Sequence, residues 1–70
     1  MKFLFNYLCF QVWKIGTEYV IIGEFGIIMI FQYSDDCVFH MTINDHNYCY
    51  ARKNIYDEII KQCIENYHEI

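Results

Sequence analysis

Glu18-Tyr19-Val20-Ile21-Ile22-Gly23-Glu24-Phe25-Gly26-Ile27-Ile28-Met29-Ile30-Phe31-Gln32-Tyr33 is the stretch that decides the fold. Two apolar runs, residues 19–22 and 27–31, flank four residues with glycine at both ends. Short runs rich in β-branched and aromatic residues, bounded by glycine, read as two strands, 18–22 and 27–33, joined by a turn. Apolar residues at consecutive positions make such strands apolar on both faces, because neighbouring side chains point to opposite sides of a sheet.

Working outward, Lys14-Ile15-Gly16-Thr17 reads as a tight turn, with Gly16 supplying the positive φ that hairpins require. Before it, residues 2–13 place Phe3, Phe5, Tyr7, Cys9 and Trp13 at odd positions and Lys2, Asn6 and Lys14 at even ones. That alternation favours one long strand over a helix, on which the polar positions would scatter around the axis. Toward the C-terminus, Ser34-Asp35-Asp36 and Asn44-Asp45-His46-Asn47 carry side chains that bond nearby backbone amides, the chemistry of turns. They bracket a strand over residues 37–43, and a short strand is expected over 48–52.

A helix is expected over residues 55–68, capped by Asn54, with Asp57 and Glu58 in its first turn facing the positive end of the dipole. Ile55, Ile59, Cys63 and Tyr67 recur every fourth residue, with Ile60 and Ile64 beside them. Asp57 with Lys61, and Lys61 with Glu65, are spaced as charge pairs on its solvent side.

Turns of two to four residues join only neighbouring antiparallel strands. The expected fold is therefore α+β: an antiparallel β-meander of four to five strands, with one C-terminal helix packed on one face. Seventy residues form one domain, 1–70, and one near the lower limit for an independent core. Five strands span about 20 Å and a helix is only about 10 Å wide, so one lid covers part of one face. The inner face is expected to carry Ile27, Met29, Phe31, Phe39, Met41 and Ile43. The opposite face would carry Ile28, Ile30, Gln32, Val38, His40 and Thr42, leaving an apolar patch for a partner or a second copy of the chain.

Composition narrows the function classes. Hydrophobic content of 56% and aromatic content of 20% exclude intrinsic disorder. A net charge of −4 lacks the basic footprint of a nucleic-acid binder. The apolar stretch 19–33 is broken by Gly23, Glu24 and Gly26 and is too short for a spanning helix. The first ten residues are interrupted by Asn6 and lack a small-residue cleavage site, so a cytoplasmic location is expected. In that compartment the four cysteines are expected to stay reduced and buried.

The motifs with chemical potential are few. Cys37-x2-His40 and His46-x2-Cys49 hold zinc-ligand residue types at short spacings. Against zinc, residues 37 and 40 fall on opposite faces of a regular strand, and no glycine lies between the pairs. Cys49 with His46 or His40 resembles a nucleophile and its base, but no orienting group or oxyanion site accompanies them. No enzymatic activity, cofactor or resident metal is expected.

The remaining candidates belong to a protein interface. They are Ile28 and Ile30 on the uncovered face, Tyr48 and Tyr50 sharing a face of the last strand, and the turn carboxylates Glu24, Asp35, Asp36 and Asp45. Glu24 and Asp45 belong at one end of a meander and Asp35 and Asp36 at the other. The expected role is a non-enzymatic protein–protein interaction, with a protein partner or as a homodimer and with neither nucleic acid nor membrane. More than half the residues are Phe, Tyr, Met, Ile, Asn or Lys, all read from AT-rich codons. Small size and that coding bias suggest an inhibitor from a phage or mobile element that occludes a host defence protein. The alternatives are a zinc-stabilised binding module using Cys37, His40, His46 and Cys49, and a small membrane-associated protein anchored by an amphipathic segment 3–13.

Overall fold

A computed structural model describes residues 1–34 and 37–67. Among these, five strands pair in sequence order: β1 (Lys2–Tyr7), β2 (Phe10–Ile15), β3 (Glu18–Gly23), β4 (Gly26–Ser34) and β5 (Cys37–Ile43). Every pairing is antiparallel. One helix, α1 (Tyr50–Tyr67), follows and packs on one face of the sheet. The α+β meander with a C-terminal helix is the architecture the sequence implies.

Two boundaries differ from expectation. Residues 2–13 form not one strand but a hairpin that turns at Leu8 and Cys9. Leu8 takes φ +53°, the left-handed region that L residues with a Cβ avoid. Gly16 takes the equivalent place in the next hairpin with φ +60°, as expected of a glycine. The second boundary is the start of the helix. Residues 48–52 are not a strand, because α1 begins at Tyr50. The Lys53 amide donates to the Cys49 carbonyl at 2.8 Å, so Cys49, not Asn54, sits at the cap position. Asp57 and Glu58 consequently lie beyond the first turn. Asp57 accepts from Lys53, one turn earlier at 2.6 Å, rather than from Lys61.

Registers fix the faces. Phe5, Val12, Ile21, Met29 and Ile43 lie opposite one another across the five strands, as do Lys14, Tyr19, Phe31 and Met41 across β2–β5. These rows face α1. Val12, Tyr19, Ile21, Met29 and Phe31 form the core with Tyr56, Ile59, Ile60 and Cys63 of the helix. Full burial of such a side chain contributes about 1.5–3 kcal/mol. Tyr67 stacks on Phe5 with ring centroids 5.1 Å apart, and the Tyr19 hydroxyl donates to the Tyr67 carbonyl at 3.1 Å. The end of the helix is thereby fixed over β1 and β3.

The lid does not reach the whole sheet. Phe39, Met41 and Ile43 of β5, expected in the core, are exposed. The opposite face carries the row Phe3, Trp13, Val20, Ile30 and Thr42, with no described element over it. Phe3 meets Trp13 edge-on at 5.2 Å, and Val20 is buried between its neighbours in the sheet.

Three bulges adjust this pattern. Ile28 is the extra residue opposite the Ile21–Ile22 step, and Phe39 the extra residue opposite Gln32–Tyr33. Leu4 is the extra residue in β1. A bulge re-aims a side chain. Ile28, expected on the uncovered face, therefore packs against the core on the helix side, while Ile27 pairs with Ile22 and is exposed. Ile28 fills space above Gly23, where a Cβ would collide with it.

Candidate interaction groove

One end of the sheet gathers the Leu8–Cys9 turn, the Glu24–Phe25 turn, residues 44–49 and the first turns of α1. Between them lies a groove of about 650 Å³. Its apolar lining includes Phe10, Ile28 and Ile55, and Leu8 and Phe25 stand at its rim. Leu8 is 74% exposed and Phe25 97%.

Asp45 organises the groove's wall. Its carboxylate accepts the Asn47 amide at 2.9 Å, which closes the turn chemistry visible in the sequence. It also accepts Arg52 Nη1 on both oxygens, at 2.9 and 3.0 Å, and the Tyr56 hydroxyl at 2.5 Å. Its side chain is only 6% exposed, and all of these donors aim at one buried charge. The Tyr56 hydroxyl foremost, and then Arg52 and the Asn47 amide, hold the Asp45 carboxyl below its ordinary value against the opposing effect of burial. Burial, and then donation to Asp45, push the Tyr56 phenol up to about 12. Tyr56 is clasped by Phe10, edge-on at 5.8 Å, and by Tyr48, stacked at 6.1 Å.

The structure divides the expected interface residues. Glu24 and Asp45 do share one end, and both line the groove. Glu24 is exposed at the rim, whereas Asp45 serves the fold by pinning the helix start. Ile28 lies in the groove instead of on the open face. Ile30 does lie on the open face, half-buried between Val20 and Thr42. Tyr48 and Tyr50 do not share a strand face: Tyr48 covers Tyr56, and Tyr50 is exposed in the first turn of α1. Asp35 and Asp36 lie outside the described residues.

Cys37 and His40 belong to β5 while His46 and Cys49 belong to the following loop. Among the described residues no three His, Cys, Asp or Glu side chains converge to hold a metal ion, so the zinc quartet is not assembled. Residues 3–13 are strands of the sheet, not an amphipathic helix, and no described helix is long and apolar enough to cross a membrane. Cys63 is buried against the core, which pushes its thiol up to about 12, while Cys9, Cys37 and Cys49, expected to be buried, are exposed in a turn, at the start of β5 and in the loop before α1.

Arg52 and Tyr56 were absent from the expected site. Their spacing of four residues, in reach of an acidic turn, is legible once the helix is started at Tyr50.

Comparison with known protein families, with curated proteins and with solved structures finds no match.

Proposed function

We propose that this chain is a small, non-enzymatic interaction protein that seats part of a protein partner in the groove between its turns. The observation that carries this reading is Leu8. A leucine in the left-handed region costs roughly 1–2 kcal/mol relative to residues at ease there, and this one does not recover the cost by burial. Strain held at an exposed apolar tip points to a contact made outside the chain. Phe25, on the adjacent turn, presents a second large apolar side chain to the same space.

The occupant suited to this groove is an apolar protrusion of a folded protein with a basic residue beside it. Glu24 stands at the rim with no ion pair among the described residues, and the chain carries a net charge of −4. Arg52, the groove's cation, is already committed to Asp45. Complementary charge of this kind speeds encounter and sets orientation, while the apolar tips supply affinity. The concrete form of the reading is an inhibitor encoded by a phage or mobile element, working in the host cytoplasm by covering the surface of a defence protein. Size and AT-rich coding support that form.

The test is capture from lysate of the native host by the parent chain and by Leu8→Asn and Phe25→Ser. Both substitutions replace exposed tips and leave the core untouched. A stoichiometric partner held by the parent and lost by the two variants is the expected result. No stoichiometric partner, or one held equally by all three chains, overturns the reading.

A further inference from the structure

We propose that β5 is the contact between two copies of this chain, pairing edge to edge and antiparallel about a two-fold axis to make one ten-stranded sheet. The edge is separate from the groove, so the two readings stand or fall apart.

β5 pairs with β4 on one side only, and its other side presents a row of backbone donors and acceptors. Proteins guard such edges with charge, proline or a covering element, because an unguarded edge templates another strand. Cys37-Val38-Phe39-His40-Met41-Thr42-Ile43 contains no Lys, Arg, Asp, Glu or Pro. The helix does not cover it, and every residue but Val38 is exposed. Among the described residues its one guard is the bulge at Phe39, which leaves residues 40–43 regular. The opposite edge, β1, contrasts on both counts: it carries Lys2, and its Phe5 lies beneath Tyr67.

The uncharged strand is what lets a second copy approach. Two chains of net charge −4 repel across most of their surfaces, and a seven-residue strand without carboxylates is where they can approach. Face parity then selects the register. Directly opposed antiparallel residues share a face, so a two-fold axis through Met41 keeps each face continuous. It sets Met41 against its own copy, His40 against Thr42, and Phe39 opposite Ile43. The three apolar side chains of β5 left outside the core thereby meet their counterparts.

A seven-residue strand is about 23 Å long, so the contact falls below about 1,200 Å² in total, at the weak end of specific interfaces. The association is reversible, and dilution separates it.

Sedimentation from about 5 to 500 μM tests this, a range chosen to bracket weak interfaces. The chains compared are the parent, Thr42→Lys, Phe39→Lys and Asn6→Lys, all altered at exposed positions and checked for parental melting at the lowest concentration. The expected result is a concentration-dependent dimer for the parent and for Asn6→Lys on the β1 edge. Each β5 variant weakens it at least about tenfold, because a lysine on an edge strand guards it against pairing with another chain. Amide exchange in residues 40–43 of the parent slows as concentration rises. A parent that stays monomeric throughout, forms open-ended aggregates, or dimerises equally with lysine at 39 and 42 overturns the proposal.

Discussion

Replacing Asp45 by alanine should cost this small fold a large share of its stability. The Tyr56 hydroxyl donates to Asp45 from a residue that is 1% exposed, so truncation strands a buried donor. Leaving such a group unsatisfied costs about 1–3 kcal/mol. The Asn47 amide loses its acceptor as well, at about 1 kcal/mol. The Arg52 contact is solvent-facing and adds nothing to the figure. Together these give about 2–4 kcal/mol, against a total of about 4–10 kcal/mol for a chain of this length. At about 4–8 °C per kcal/mol, the melting temperature should fall by roughly 8–32 °C. Asp45→Asn keeps an acceptor for Tyr56 and should lose only about 1 kcal/mol. The decisive comparison is a double-mutant cycle with Tyr56→Phe, followed by urea denaturation. Removing the stranded hydroxyl should return about 1–2 kcal/mol to the Asp45→Ala chain. An Asp45→Ala chain within about 0.5 kcal/mol of the parent, or a cycle that is additive, would refute the hub at Asp45.

Acid should act through the same carboxylate. The fold lowers the Asp45 pKa, so it favours the charged form, and the associated stability is complete above the ordinary carboxylate value near 3.8. It is lost as pH falls from there through the depressed value. The urea midpoint of the parent should therefore drop more steeply below about pH 4 than that of Asp45→Asn. Ile59 is fully buried between helix and sheet, and Ile59→Ala should cost about 2–5 kcal/mol in the same assay. In dilute native protein a thiol reagent should titrate Cys9, Cys37 and Cys49 promptly and Cys63 only on unfolding. Four equally fast thiols would show that Cys63 is not in the core. At position 8, denaturation midpoints should rank Asn above Leu above Val, because asparagine tolerates positive φ and a β-branched residue does not. Val at or above Leu would contradict the left-handed turn.

The central hairpin was legible because glycines at 23 and 26 punctuate two unmistakable apolar runs. The helix stripe was legible too, since Ile59, Ile60 and Cys63 recur with helical period and are buried. The first hairpin was not, because Leu8-Cys9 has none of the chemistry of a turn. Only the eight-residue spacing to the turns at Gly16 and Glu24 hints at it. Residues 48–52 misled through the strand propensity of Tyr-Cys-Tyr, which the contacts of Asp45 with Arg52 and Tyr56 override. Of the site, shared placement of Glu24 and Asp45 followed from meander topology alone. Ile28 was assigned the wrong face because strict alternation fails at a bulge, and a bulge leaves no mark in this stretch of sequence.

Strand order has a consequence for how the chain acquires its shape. Each strand pairs with the one just synthesised, so most closures are short and cheap in entropy, and the sheet should assemble quickly. The contacts of Tyr67 with Phe5 and Tyr19 are different, since they join the two ends of the sequence. During synthesis the sheet therefore precedes its lid, and Val12, Ile21 and Phe31 face solvent until α1 has left the ribosome.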